Sequence, residues 1–343
     1  MPEFRKDPVV GRWVIISTER ARRPSDFIAH TSGAPATPVV RPASCQFCPG
    51  NEPRTPDEVL ALRDPDTGPN TPGWTLRVVP NKFPALRIEG ELEPSGEGIY
   101  DRMSGVGAHE VIIESPDHAA SLATLPAEHL AAVLGAYRDR IRDLARDPRF
   151  EYVIIFKNHG ERAGASIEHP HSQLIATPTV PIMVEEELEG ALRHFRIKKR
   201  CIWCDVVSQE RRDGGRVVLD TGEFVALAPF APRFPFETWI LPADHASAFE
   251  EIEADGLAAL ARLLGDVLRG MNRVLGDPPF NFMLHSRPLK TGALDHFHWH
   301  LEIIPTLGRM AGFEWGTGFF INPTPPEVAA KYLRGEVPEA SVR

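Results

Sequence analysis

The sequence predicts an α+β protein built twice over, each half a mainly antiparallel sheet with one main helix packed on it. Three observations carry that expectation: an apolar helical stripe that recurs at a fixed offset, short apolar strands that outnumber the long helices, and cysteines and histidines that recur in the same order.

The helix comes first. After Pro126, the residues Leu130, Val133, Tyr137, Ile141 and Leu144 recur at three or four positions along one face, the spacing of an amphipathic helix. Residues 127 further on read Leu257, Leu260, Leu264, Leu268 and Met271. The same offset carries Val153, Ile155 and Phe156 onto Phe280, Phe282 and Met283, a second pair of short buried strands. It carries His118 onto His245, each in an Asp-His dipeptide just before the helix, and His169 and His171 onto His296 and His298. One register held through helix, strand and histidines is a duplication.

Each copy then reads CxxC, several strands, an apolar strand (Val111 to Ile113; Trp239 to Leu241), Asp-His, helix, strand, and a histidine-bearing strand (Ser172 to Ala176; Leu301 to Ile304). The CxxC pairs are 156 apart (201 minus 45), so the second copy is shorter by 29 (156 minus 127) before its Asp-His, a difference of loop or strand length. The halves fall at residues 1–177 and 201–343. Residues 178–200 connect them, and their helical spacing marks structure rather than a floppy linker.

A chain of 343 residues suits two domains, or one domain built twice. With 42% hydrophobic and 25% charged residues, and 27 Gly and 33 Pro in no collagen period, disorder and fibre are excluded. The net charge of -9 repels nucleic acid and anionic lipid on average, so any polyanion needs a local site. No run approaches the roughly 18 apolar residues of a membrane helix, and the opening MPEFRKDPVV lacks a signal-peptide core. The expectation is a cytoplasmic protein with no membrane or nucleic-acid partner. In that compartment the four cysteines are thiols.

Their CxxC spacing asks for metal. Cys45 and Cys48 sit in PASCQFCPGNEP, where a tight turn brings two thiolates onto one ion, and zinc then needs two more ligands to close a tetrahedron. His118 and His169 are the choice, because each has a histidine at the equivalent place in the second copy; His109, a competitor, has Phe236 there. In the second copy Cys201, Cys204 and His245 are three ligands, and the fourth is open between His296, which the repeat favours, and His298.

The first histidine strand carries the chemistry. Alternation puts His169, His171 and Gln173 on one face of an extended segment. An imidazole attacks phosphorus at neutral pH without a separate base, since its ordinary pKa of about 6.5 leaves a lone pair available. Gly160, Gly164 and Ser166 present backbone N–H groups and a hydroxyl to phosphate oxygens. Gln173 donates to the transferring phosphoryl group as its charge redistributes.

Most of the chain resembles the galactose-1-phosphate uridylyltransferase family of the histidine-triad superfamily, whose subunit is a duplicated triad (HIT-like) fold. The resemblance runs from GRWVIISTERARRP through CQFCPGNE, VVPNKFPAL, SPDH and NHGERAGASIEHPHSQ to GFEWGTGFF. It implies a ping-pong reaction in which His171 attacks the α-phosphorus of UDP-glucose, glucose 1-phosphate leaves, and galactose 1-phosphate resolves the uridylyl-histidine. It makes His169 a zinc ligand with Cys45, Cys48 and His118. It also implies that Asn81, Asn158, Gly164, Ser166 and Gln173 contact nucleotide and phosphate, that Arg20 and Arg23 contact the sugar phosphate, and that the enzyme is a homodimer.

The second half departs from the best-known branch, whose second metal site uses a glutamate and histidines. Cys201-Ile-Trp-Cys204, ADH at His245 and HFHWH instead resemble the branch that includes the plant ADP-glucose phosphorylase, in which the fourth ligand aligns with His298. Two zinc sites per chain are expected, with iron an alternative at the second. That branch transfers an adenylyl group to phosphate, which is the second reading of the reaction. The superfamily's HxHxH triad is met only by His296, His298 and His300, which makes the second copy an alternative active half. A non-catalytic zinc protein binding nucleic acid is the reading from another class; scattered basic residues give it no stripe.

Overall fold

The computed structural model describes residues 1–17, 24–31 and 44–336, with the side chains of the second segment described as far as Phe27. The first half runs β1 (Glu3–Lys6), β2 (Trp13–Ile16), α1 (Pro24–Thr31), β3 (Leu60–Arg63), β4 (Trp74–Pro80), β5 (Ser95–Glu97), β6 (Tyr100–Arg102), β7 (Ala108–Ile113), α2 (Ala127–Leu144), β8 (Tyr152–His159) and β9 (His171–Thr177). The connector holds α3 (Ile182–Lys198), and the second half runs α4 (Ile202–Asp213), β10 (Val217–Asp220), β11 (Phe224–Leu227), β12 (Thr238–Pro242), α5 (Ala254–Leu275), β13 (Phe280–His285), β14 (His300–Pro305), α6 (Gly312–Thr317), β15 (Phe320–Asn322) and α7 (Pro326–Leu333).

The two halves make one sheet. Ten strands lie in the order β10-β11-β12-β14-β13-β8-β9-β7-β4-β3, every neighbouring pair antiparallel. Each copy contributes five strands in mirrored sequence, and β8 of the first joins β13 of the second. Left apart, those two strands would present unpaired N–H and C=O groups; pairing them removes both edges. Among the described residues the shorter second copy has no counterpart of the β5–β6 hairpin, which accounts for some of the difference in length.

The helices are shared in the same way. Instead of two separately packed halves, α2 and α5 lie together on one face of the sheet in a single hydrophobic core that includes Leu130, Leu134 and Tyr137 with Leu260, Leu264 and Met271. The amphipathic stripes of the two helices are therefore buried against each other as well as against the strands. Gly214 and Gly276 end α4 and α5 in left-handed geometry (φ 69° and 70°), which a glycine adopts without steric cost.

Strand alternation sends the functional side chains to the other face. In β9, Leu174 and Ala176 enter the helix-side core, whereas His171 and Gln173 line a cleft opposite. That face carries two smaller apolar clusters. Cys45, Phe47, Trp74, Val79, Val111 and Ile113 form one, and Trp203, Val225, Leu227, Trp239 and Leu241 belong to the other. The connecting residues are helical, as α3. A Cβ on Gly190 would stand 2.0 Å from the carbonyl oxygen of Val9, so the N-terminal segment crosses α3 only at a residue without a side chain. No helix among the described residues is long and apolar enough to cross a membrane.

Candidate active site and metal centres

Cys45, Cys48, His118 and His169 converge, all buried, with their ligand atoms within 4.8 Å of one another. The spacings are those of a coordination shell. Cys48 Sγ stands 3.4 Å from His118 Nδ1 and 3.5 Å from His169 Nδ1, Cys45 Sγ is 3.7 Å from His169 Nδ1, and the two Nδ1 atoms are 3.2 Å apart. A zinc tetrahedron with Zn–S of about 2.3 Å and Zn–N of about 2.0–2.1 Å separates its ligand atoms by roughly 3.3–3.8 Å. The tautomer agrees too. His169 Nε2–H donates to the Ser115 carbonyl at 2.8 Å, which leaves Nδ1 as a bare lone pair aimed at the thiols. Burial, first among the causes, lowers the His169 pKa to about 4, so the ring is in the neutral, ligating form.

Two residues on, His171 is turned the opposite way. Its Nδ1–H donates to the main-chain carbonyl of His169 at 2.8 Å, so the lone pair is on Nε2. Burial, and after it the Lys157 charge, lowers its pKa from the ordinary imidazole value. A neutral ring with one nitrogen tied back and the other free is arranged as a nucleophile.

His171 lines a cleft of about 250 Å³ together with Phe47, Asn81, Ser166 and Gln173. A larger cavity of about 970 Å³ shares Pro56, Pro80, Asn81 and Lys82 with it and continues past His109 to Arg140. Between the two, Gln173 is held by His109, a partner that nothing in the sequence connects with it. The backbone N–H of Ala85 donates to His109 Nδ1 at 3.0 Å, so the proton of this neutral ring is on Nε2, 2.9 Å from the Gln173 Oε1 that accepts it. The Asn81 Nδ2 group, 3.1 Å from the same Nε2, is then a packing contact, because both atoms are donors. With its oxygen held by His109, Gln173 has its NH₂ free as the donor.

Of the remaining expected contacts, Asn158 accepts a bond from Asn281 Nδ2 at 2.9 Å. Gly164 takes φ 93°, and a Cβ there would stand 3.6 Å from Asn158 Nδ2, so the loop folds closely over that side chain. Gly160 also has positive φ, 79°. Arg20 and Arg23 lie outside the described residues.

In the second copy the fourth partner is His298. Cys201, Cys204, His245 and His298 form the second convergent group, with Cys204 Sγ 3.5 Å from His245 Nδ1 and 3.8 Å from His298 Nδ1. His245 Nε2–H donates to the Leu294 carbonyl at 3.0 Å, the same tautomer logic as in the first group. His296, which the constant repeat offset favoured, is displaced because the offset drifts. Gln173 faces Phe156 and Val111 across the ladders, and Glu302 faces Met283 and Trp239. The offset is thus 127 at Phe156 (283 minus 156), 128 at Val111 (239 minus 111) and 129 at Gln173 (302 minus 173).

By that register His300 is the counterpart of His171, and it is sealed. It is fully buried, stacked on Trp203 at 4.3 Å and on His285 at 4.7 Å between ring centres. A third group of potential ligands, Glu187, His285 and His300, lies here and was not singled out from sequence. It is closed by the Glu187–His285 ion pair at 3.2 Å.

Comparison with known proteins places this arrangement. A family model described as galactose-1-phosphate uridyl transferase, N-terminal domain, matches residues 1–181, and a model of a domain of unknown function matches residues 106–337. The ADP-glucose phosphorylase of Arabidopsis thaliana is 40% identical over 97% of this chain and 92% of its own length. The chain belongs to the galactose-1-phosphate uridylyltransferase family.

Within that family, the uridylyltransferase of Thermotoga maritima is 29% identical over 97% of this chain and 98% of its own. Among solved structures, an Arabidopsis ADP-glucose phosphorylase with bound ADP-glucose superposes with a TM-score of 0.81 at 37% identity, covering 99% of both chains. A uridylyltransferase structure follows at 0.75 and 27%, covering 100% of both. These uridylyltransferase relatives are nucleotidyltransferases, and the protein is an enzyme of that class, with the duplicated α+β fold of the family.

Proposed function

We propose that the protein transfers a nucleotidyl group from a nucleotide sugar by a ping-pong route through His171. The observation that carries this reading is the ring of His171, tied at Nδ1 to the His169 carbonyl and lining a cleft with Ser166, Asn81 and Gln173. His171 Nε2 attacks the α-phosphorus, the bond from that phosphorus to the bridging oxygen breaks, and the sugar 1-phosphate leaves with the electron pair. A phosphate oxygen of the acceptor then attacks the same phosphorus and the imidazole leaves. Gln173 donates its NH₂ to a non-bridging oxygen as charge builds there. Ser166 and the backbone of Gly164 receive the remaining phosphate oxygens, Asn81 and Asn158 hold the nucleotide, and Arg20 and Arg23 take the sugar phosphate.

Residues 1–177 form the catalytic half, 178–200 the connector, and 201–343 the half with the second metal. Cys45, Cys48, His118 and His169 hold one zinc, and Cys201, Cys204, His245 and His298 hold another. The ions supply cross-links between loops and strands, and the group transfer is performed by side chains. The enzyme acts in the cytoplasm as a homodimer.

We assign ADP-glucose as donor and inorganic phosphate as acceptor. The support is the 40% identity to a plant ADP-glucose phosphorylase against 29% to a bacterial uridylyltransferase, each over 97% of this chain. UDP-glucose with a hexose 1-phosphate acceptor, the leading expectation from the sequence, is here the second reading, favoured by the N-terminal family model. The test uses ADP-glucose and UDP-glucose, each labelled in the α-phosphate. Acid-labile, base-stable label from ADP-glucose, discharged by phosphate, is the expected result. Label from UDP-glucose alone, discharged by galactose 1-phosphate, moves the assignment to the second reading.

A further inference from the structure

Behind the strand that carries His171, on the face packed by α2, four polar side chains run through the hydrocarbon core. Lys157 Nζ donates to Glu114 Oε2 at 2.8 Å and to the main-chain carbonyl of His171 at 2.9 Å. The Ser172 hydroxyl donates to the other Glu114 oxygen. Tyr137, kept protonated by burial and by the Glu114 charge, donates to Ser172 Oγ. Lys157 and Glu114 are 2% and 0% exposed.

The duplication supplies an internal control. By the register set by strand pairing, Lys157 and Ser172 correspond to Leu284 and Leu301, and Glu114 to Pro242; by the repeat offset of 127 along the helices, Tyr137 corresponds to Leu264. All three leucines belong to the shared core. The same backbone plan is therefore stable with hydrocarbon at these places. A buried ion pair adds little to stability over hydrocarbon of similar volume, so the fold does not explain the polar set.

Strand pairing does. In the second copy the β13–β14 ladder continues through Leu284–Leu301 to His285–His300. In the first, the β8–β9 ladder stops at Phe156–Gln173. The two strands diverge two residues early, beside His171, and its carbonyl is left without a strand partner on that side. The Lys157 ammonium takes the place of the missing backbone donor, and Glu114 neutralises it and reaches back to Ser172.

We propose that Lys157 and Glu114 are positioning residues for His171, clamping its main-chain carbonyl while the His169 carbonyl clamps its ring. The opened ladder gives the nucleophile room for a ligand, and the clamp restores the rigidity that the lost pairing removed. This rests on His171 being the nucleophile, and the test separates the two claims.

The variants are Lys157→Met and Lys157→Met/Glu114→Gln, the second leaving no unpaired buried charge. Each is compared with the parent for metal content, thermal midpoint, KM for ADP-glucose and the rate at which α-labelled ADP-glucose modifies the protein. The double variant is expected to keep its metal and melt at or above the parent. Its KM should stay within about threefold while its labelling rate falls about tenfold or more, as expected for a misplaced reacting group. A labelling rate within about twofold of the parent overturns the clamp, and so does loss of fold in both variants, since the set is then structural. A parent that takes no label from ADP-glucose or UDP-glucose overturns the functional reading and the clamp with it.

Discussion

Phe156 and Met283 face each other across the seam between β8 and β13, and each is the other's counterpart in the duplicated chain. The two copies therefore meet about a local two-fold axis that passes between identical positions. One residue away the symmetry is broken in chemistry: Lys157 in the first copy, Leu284 in the second.

The difference between the copies should decide where label goes. His171→Ala is expected to abolish covalent nucleotidylation and to lower turnover by on the order of 10⁴-fold or more, the scale of losing a nucleophile. His300→Phe, at the sealed equivalent, should leave labelling in place. Intact-mass spectrometry after incubation with nucleotide sugar reads both.

Metal content distinguishes neighbours two residues apart. Elemental analysis should find two zinc ions per parent chain. His298→Ala should drop one of them, whereas His296→Ala keeps both. Chelation should unfold the protein as a whole, since a structural zinc contributes on the order of 10 kcal/mol and the two copies share one sheet and one core; circular dichroism with and without chelator checks it.

His109→Ala should weaken catalysis only through Gln173. The expected loss in kcat is about tenfold, less than the roughly 10²–10³ of removing a transition-state donor outright. In a Gln173→Ala background the same substitution should cost nearly nothing. Equal losses in both backgrounds would show that His109 acts elsewhere.

Arg233 is buried between Glu237, at 3.3 Å, and Glu302. Burial opposes the charge on Glu302, but Arg233, then His285 and His300, outweigh it and hold its pKa below the usual carboxylate range. A depressed carboxylate stabilises the fold above its unfolded value, about 4.3, and loses that contribution as pH falls. Glu237, which burial pushes upward, works in the opposite sense. Arg233→Met should therefore cost about 3–5 kcal/mol near neutrality, and less at pH 3. Denaturant midpoints at the two pH values test this.

The helix stripes and the CxxC pairs were legible in the sequence because they depend on local spacing, and the strand pairs and the convergence of His118 and His169 on the first CxxC because the duplication repeats them at one offset. The fourth member of the second group was not legible from the internal repeat, whose constant offset points to His296; the family resemblance pointed to His298, and strand pairing supplies the two extra residues that bring it into place. His109 and Lys157 were invisible for a different reason. Their roles come from a backbone N–H at Ala85 and from a ladder that stops early, neither of which leaves a pattern in side-chain types. The single continuous sheet was missed because nothing along the chain says that β8 will use its free edge on β13.

That seam limits what could be pared away. Cut the gene after residue 200 and the product keeps its histidine, its cysteines and a raw strand margin beside a bare helix flank, ready to stick to its own kind. The copy whose counterpart of His171 is sealed in the core is the permanent neighbour its twin cannot do without.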